Sequence, residues 1–379
     1  MEAALISSDA GKMPTKKAVQ HARIRFIGSG HEFFRMWVVH VLLTLLTLTL
    51  YWPVARARQM SWFYRHTEIL GHVLDFQPPV KNMVRSYLMI ILIVAVITLP
   101  EYVAPDWAGP VLFLYAAIWP LLWWSALLFR MRQTRWQGVR MDFNGSLKDA
   151  YRLAWPLIAM AGLYVLVIPW ASDRGITGWI WGVAGFVGLS VVLFPWLWTR
   201  LQRFQHSHYV FMDQQTQTDM PAESFYGVSF QYLMGLPVLV LLILGAGYLV
   251  GLWTGTAPSY QRINVFAFYI YIVIVGQAFM AAKLQNILWN HTWTERIRFN
   301  SDLPVWRYVC LQCQNWLLIL LTAGFFYPYA KVRSVRLRLE SVAMTIEGRP
   351  LDWISSSPED GQYAAGEAAE NQVGIDIGI

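Results

Sequence analysis

The chain has 379 residues, 56% of them apolar and only 14% charged, with a formal net charge of +7 and 20 tryptophans. A soluble domain carries about a quarter charged residues, so this composition excludes an ordinary soluble domain and points to a bilayer, where Trp and Tyr gather at the interfaces. The basic surplus sits just beyond apolar runs, where positive-inside orientation and anionic head groups account for it, leaving little basic surface to bind nucleic acid.

Residues 1–22 read as a polar, basic tail without the short apolar core of a cleavable signal. The apolar run Val38–Tyr51 follows, with Arg35 before it and Arg56, Arg58 and Arg65 after it. Six runs of roughly the 20 residues needed to cross a bilayer come next. They pair as Arg85–Tyr102 with Pro110–Phe129, Tyr151–Trp170 with Gly178–Trp198, and Tyr232–Trp253 with Ile263–Trp289. Arginines crowd the segments between pairs, so those segments are expected on the cytoplasmic side. A last run, Leu317–Tyr327, again has basic residues on both flanks. The acidic stretch 351–379 has no Lys or Arg and is expected to be disordered. Residues 23–350 then form one integral-membrane domain.

The two ends of that domain repeat each other, and internal repetition is the strongest architectural signal in a sequence. Leu42, Leu43, Leu45, Leu46, Thr47, Pro53, Ala55 and Arg58 match Leu317, Leu318, Leu320, Leu321, Thr322, Pro328, Ala330 and Arg333. Residues 23–76 thereby resemble 296–348. Polar and apolar residues alternate in Arg23–Ser29, Thr67–Phe76, Arg135–Ser146, His208–Asp213, Thr292–Ser301 and Ser341–Gly348, which predicts short strands. The expected fold is an all-α polytopic membrane protein with six transmembrane helices in three hairpins. Two repeated terminal elements, re-entrant or spanning, and short cytoplasmic strands in a small sheet or ring complete it; the alternative has eight transmembrane helices. Pro53 and Pro328 each follow an aromatic pair and are expected to end a helix there.

The runs Gly28–Phe34 (GSGHEFF), Leu45–Arg58 (LLTLTLYWPVARAR) and Tyr64–Gly71 (YRHTEILG) resemble the YjgN family of bacterial inner-membrane proteins. Trp136–Ser146 (WQGVRMDFNGS) and Arg296–Ser301 (RIRFNS) resemble that family's later strand segments. The resemblance implies an inner-membrane location and is silent on mechanism. Thr49 stands where the family pattern has Gly, which Gly324 keeps in the second copy, and Val54 replaces a Trp.

Candidate chemistry is sparse. No nucleotide-binding loop, nucleophile elbow or zinc-protease motif is present, so no enzyme activity, cofactor or metal is expected. His66, His206 and His291 stand at helix ends before strands, where a ligand ring competes with simple capping of free carbonyls, and capping is the stronger reading. Cys310 and Cys313 share a helical face and read as small apolar residues. Polar residues at membrane depth carry more: His40, Gln277, Gln312 and Asn315 are candidates for a solute path, against interhelical hydrogen bonding. Arg56, Arg58, Lys331 and Arg333 are candidate contacts to lipid phosphates. The functional expectation is a multi-pass inner-membrane transporter or channel for a small solute, with membrane lipids, anionic head groups included, as partners. The alternative is a non-transport protein that organises membrane or binds lipid.

Overall fold

A computed structural model describes residues 19–103, 108–211, 214–235, 245 and 271–347. The chain opens on β1 (Val19–Arg23) and β2 (Arg25–Phe26), followed by the helices α1 (Gly30–Leu46) and α2 (Trp52–Arg65). β3 (Thr67–Ile69) and β4 (His72–Phe76) lead to α3 (Val80–Val103) and α4 (Ala108–Arg132). β5 (Thr134–Trp136) and β6 (Val139–Phe143) lead to α5 (Leu147–Ser172) and α6 (Gly175–Ser207). After β7 (Tyr209–Phe211), β8 (Gln214–Gln215) and β9 (Gln217–Thr218) comes a helix over 222–235, α7. A π-helical turn, Tyr271–Gly276, runs into α8 (Gln277–Asn290). The last elements are β10 (Thr292–Trp293), β11 (Ile297–Ser301), α9 (Val305–Leu321), α10 (Tyr327–Glu340) and β12 (Val342–Glu347).

The strands form two antiparallel sheets, ordered β1-β12-β11-β10-β9 and β2-β3-β4-β5-β6-β7-β8. Only Ile24 separates β1 from β2, and only Thr216 separates β8 from β9. Both joints are tied to neighbouring strands: Ile24 N–H donates to the Val342 carbonyl at 3.2 Å, and Thr216 N–H donates to the Tyr209 carbonyl at 2.8 Å. Followed through these joints, the pairing closes on itself, because β12 pairs with both β11 and β1. Closure leaves no unpaired edge to template aggregation. Two of the tight turns have positive φ at both central residues, Leu70 (52°) with Gly71 (82°) and Gln137 (51°) with Gly138 (82°). That is the geometry of two-residue hairpins, for which glycine at the second position is suited.

Antiparallel order also fixes where the helices go. α1 and α2 connect β2 to its antiparallel neighbour β3, so the chain leaves and re-enters the ring on one rim. The same holds for α3–α4 between β4 and β5, α5–α6 between β6 and β7, and α9–α10 between β11 and β12. The tight turns occupy the opposite rim.

The junctions between helices and ring recur in detail. His66, His208 and His291 each cap the helix before a strand, their Nδ1 lying 2.7, 2.7 and 2.8 Å from the carbonyls of Trp62, Phe204 and Ile287. His208, not His206, occupies this position; His206 is buried two residues earlier, with Nδ1 3.3 Å from the Thr292 hydroxyl. The carbonyls of His66, Gln133, His208 and Ser341 accept from the N–H groups of Ile27, Gln77, Asn144 and Asp302. Phe26, Phe76 and Phe143 end their strands buried, each packed on the aromatic ring one turn before a cap, Trp62 (6.0 Å), Phe129 (6.3 Å) and Phe204 (5.7 Å). Burying one such ring contributes roughly 1.5–3 kcal/mol.

Several expectations are corrected. The protein is not all-α, because antiparallel sheets of five and seven strands hold the helix pairs together. Neither six nor eight spanning helices are found: among the described residues three stretches are long and apolar enough, Pro110–Arg132, Leu147–Val167 and Gly175–Ser207. At 33 residues the last is about 50 Å long; it overshoots the ~30 Å of hydrocarbon, and its basic end with Arg200 and Arg203 is the end suited to stand clear. The terminal apolar runs do not continue as single rods. Each breaks in a turn, after Leu46 and after Leu321, and returns to the ring. Pro53 and Pro328 open the second helix of each pair instead of ending the first, since a missing N–H costs nothing in the first turn. Thr67–Phe76, Arg135–Ser146 and Thr292–Ser301, each expected as one strand, are strand pairs. Most of the expected pair Tyr232–Trp253 and Ile263–Trp289 lies outside the described residues, as do 1–18 and the tail 351–379.

Candidate functional site

The two terminal helix pairs carry most of the candidate residues, and a shared turn sets their geometry. After α1, the Thr47 hydroxyl donates to the Leu43 carbonyl at 2.7 Å and accepts the Tyr51 N–H at 3.0 Å. After α9, the Thr322 hydroxyl donates to the Leu318 carbonyl at 2.7 Å and accepts the Phe326 N–H at 2.9 Å. Thr49 N–H bonds the Thr44 carbonyl, and Gly324 N–H the Ile319 carbonyl, both at 2.8 Å. The hydroxyl thus satisfies carbonyls and amides that a broken helix leaves free.

Each turn folds its polar residues inward. Asn315 is 1% exposed. Its Nδ2 donates to the Ser334 hydroxyl at 3.0 Å and the Ala330 carbonyl at 3.3 Å, and its Oδ1 accepts from Arg333 at 3.2 Å. Gln312 joins this group through Tyr308 (2.7 Å) and Ser334 (3.4 Å). His40, at the matching place in α1, is 3% exposed. Its Nδ1 lies 3.3 Å from the Tyr51 hydroxyl, while its Nε2 is buried without a partner. Gln277 stands exposed on α8 and is not joined to His40, Gln312 or Asn315. The structure therefore gathers Gln312 and Asn315, seats His40 in the other terminal pair, and leaves Gln277 apart.

The four basic candidates divide. Arg333 turns inward, bonded to Asn315 and to Gln314 at 3.3 Å. Lys331 lies over the rings of Phe63 (5.2 Å), Phe33 (5.7 Å) and Tyr327 (6.0 Å). Arg56 and Arg58 are exposed on α2. The same helix pair exposes Leu42, Leu45, Leu46 and Leu48, so it presents both apolar and cationic side chains outward. Cys310 and Cys313 are both free and exposed on α9. Among the described residues, no three His, Cys, Asp or Glu side chains gather as metal ligands would.

Sequence reasoning missed Ser334 and Tyr51, the partners of Asn315 and His40. A signal existed for the first. Asn315 and Ser334 lie almost equally far on either side of Gly324, so a tight helical turn at that glycine brings them together.

Helix pairs raised on one rim of a closed strand ring, three of their helices able to span, define this as a membrane protein. Residues 21–372 match the family DUF898, described as bacterial protein of unknown function, and the chain belongs to that family. The inner membrane protein YjgN of Salmonella typhimurium (strain LT2) is 24% identical over 379 residues, covering 87% of this chain and 93% of its own. The YjgN proteins of Escherichia coli O157:H7 and of strain K12 are each 22% identical over 349 residues, covering 81% of this chain and 84% of their own. These names and the apolar helices make it an inner-membrane protein of the YjgN family. No solved structure matches the chain.

Proposed function

We propose that this is a multi-pass protein whose helix pairs, arranged as an internal repeat, surround a water-filled passage for a small solute. The observation that carries the reading is the exposure of leucines and arginines side by side in the α1–α2 pair. Exposed arginines are costly against lipid and normally face protein or a water-filled cavity. Leu42, Leu45, Leu46 and Leu48 suit contact with lipid, while Arg56 and Arg58, exposed on the other helix of the pair, call for water or protein beside them. The repeated turns at Thr47 and Thr322 support repetition of a helix–turn–helix unit, the kind of element from which repeat transporters build solute sites. That comparison is one of architecture. A cationic wall favours an anionic solute.

The test is flux from proteoliposomes loaded in turn with chloride, phosphate and small carboxylates. The reading expects protein-dependent efflux of at least one anion, reduced tenfold or more by R56Q/R58Q with folded yield unchanged. Correctly folded protein that releases none of them faster than protein-free vesicles contradicts it. One observation favours the non-transport alternative: the polar atoms of Asn315 are all bonded within its own helix pair, as interhelical glue would be.

A further inference from the structure

A crevice of about 570 Å³ lies between α7, α8 and the start of α9, within the range of small-ligand sites. Gln231, Phe279, Lys283, Pro304, Trp306 and Arg307 line it. No carboxylate is among its lining residues, so two cations share a mostly apolar hollow. Lys283 lies over the ring of Phe279, one turn back on α8, at 5.9 Å. Trp306 is 70% exposed at the mouth. Trp306 and Arg307 stand at the start of α9, apart from its polar group around Asn315, and Gln231, Phe279 and Lys283 lie outside the terminal helix pairs.

We propose that this crevice binds the phosphate of an anionic phospholipid, with Lys283 and Arg307 holding the head group and Phe279 and Trp306 flanking the first part of an acyl chain. Three features select lipid over a free solute. The cations sit near the ring ends of their helices: Arg307 is in the first turn of α9 and Lys283 is about two turns before the end of α8. In a helix that enters the bilayer from the ring, that is head-group depth, where Lys side chains lay their stems along apolar surface and keep the ammonium at the interface. The walls are apolar, which suits a chain and not a small hydrophilic ion. The exposed indole is the side chain that anchors at such interfaces. The inference rests on membrane placement alone and not on transport.

Native mass spectrometry of the detergent-solubilised full chain tests it, with titrations of short-chain phosphatidylglycerol, phosphatidylcholine and inorganic phosphate. Wild type should bind phosphatidylglycerol at least tenfold tighter than phosphatidylcholine. K283Q/R307Q should lose that preference, and K283R/R307K should keep it, which separates charge from damage to the fold. Inorganic phosphate should not displace the lipid at concentrations where the lipid saturates. Equal binding of the two lipids, or a preference that survives K283Q/R307Q, overturns the proposal. Displacement by inorganic phosphate at matching concentration also overturns it, in favour of a free-oxyanion site. None of these results depends on flux, so the transport reading fails or stands separately.

Discussion

Among the described residues, Thr49 carries the clearest local strain. Its φ is 74°, and the equivalent Gly324 has 94°. A β-branched residue in that left-handed region is disfavoured by about 1–2 kcal/mol, which glycine avoids while adding some freedom to the unfolded chain. T49G should therefore stabilise the folded protein by about 0.5–1 kcal/mol, read as a higher thermal midpoint in detergent. A lower midpoint would mean that the contact between the Tyr87 and Thr49 hydroxyls at 3.4 Å matters more than the strain. Asp75 offers a second residue-scale test. Burial alone would raise its pKa, but bonds from Gln77, Arg65 and the Phe76 N–H outweigh that and hold it below the ordinary value of 3.8. A depressed carboxylate contributes stability at neutral pH and loses it as pH falls through the folded pKa. D75N should lower the thermal midpoint at pH 7, and the gap to wild type should close below about pH 4. The effect is small, at most about 1 kcal/mol, because Arg65 is 61% and Asp75 35% exposed. A gap that widens in acid would contradict the assignment.

At the scale of elements, the joint between a strand and the next helix is the unit that recurs. Ser29 and Ser146 accept the Glu32 and Asp149 N–H groups at 3.2 and 3.1 Å, the start signal of a capping box. The glycines before them are needed for room. A Cβ on Gly145 would lie 2.6 Å from both Phe143 and Phe204, and one on Gly28 would lie 2.6 Å from Trp62. G145A should force these rings apart and destabilise the protein by about 1–3 kcal/mol, measured by thermal unfolding; a neutral result would show that the aromatic joint yields easily. Much of this was legible in the sequence. The phenylalanine followed by a small or amide residue marked the strand ends, and the capping reading of the histidines matches His66 and His291. Capping at a third such junction falls to His208, because α6 runs to Ser207, past the expected cap at His206. The prolines misled because a proline that ends one helix and one that begins the next follow the same kind of apolar run.

At the scale of the whole molecule, a small sheet or ring of strands was expected, but the pairs that close it were not readable. β8 and β9 are Gln-Gln and Gln-Thr, polar throughout, so they lack the alternation that identifies a strand. The tight turns inside Thr67–Phe76 and Arg135–Ser146 were signalled by Gly71 and Gly138, yet alternation runs on through a two-residue turn and conceals it. The candidate site was legible in part. Gln312 and Asn315 are joined, while Gln277 is distant in role because period alone does not say which face of α8 meets which neighbour. The closed ring makes one demand that reaches beyond any residue: every tight strand turn lies on one side, and every helix pair rises from the other.

That demand is tested by single cysteines at His72, beside the β3–β4 turn, at Glu295, between β10 and β11, and at Asp173, between α5 and α6, in a chain with Cys310 and Cys313 replaced by Ala. All three positions are exposed. Spheroplasts would be treated with a membrane-impermeant thiol reagent before and after permeabilisation. The account predicts that Asp173→Cys reacts at once, and that His72→Cys and Glu295→Cys react only after permeabilisation. Reaction of His72→Cys and Glu295→Cys on opposite sides of the membrane would break the ring and contradict the account.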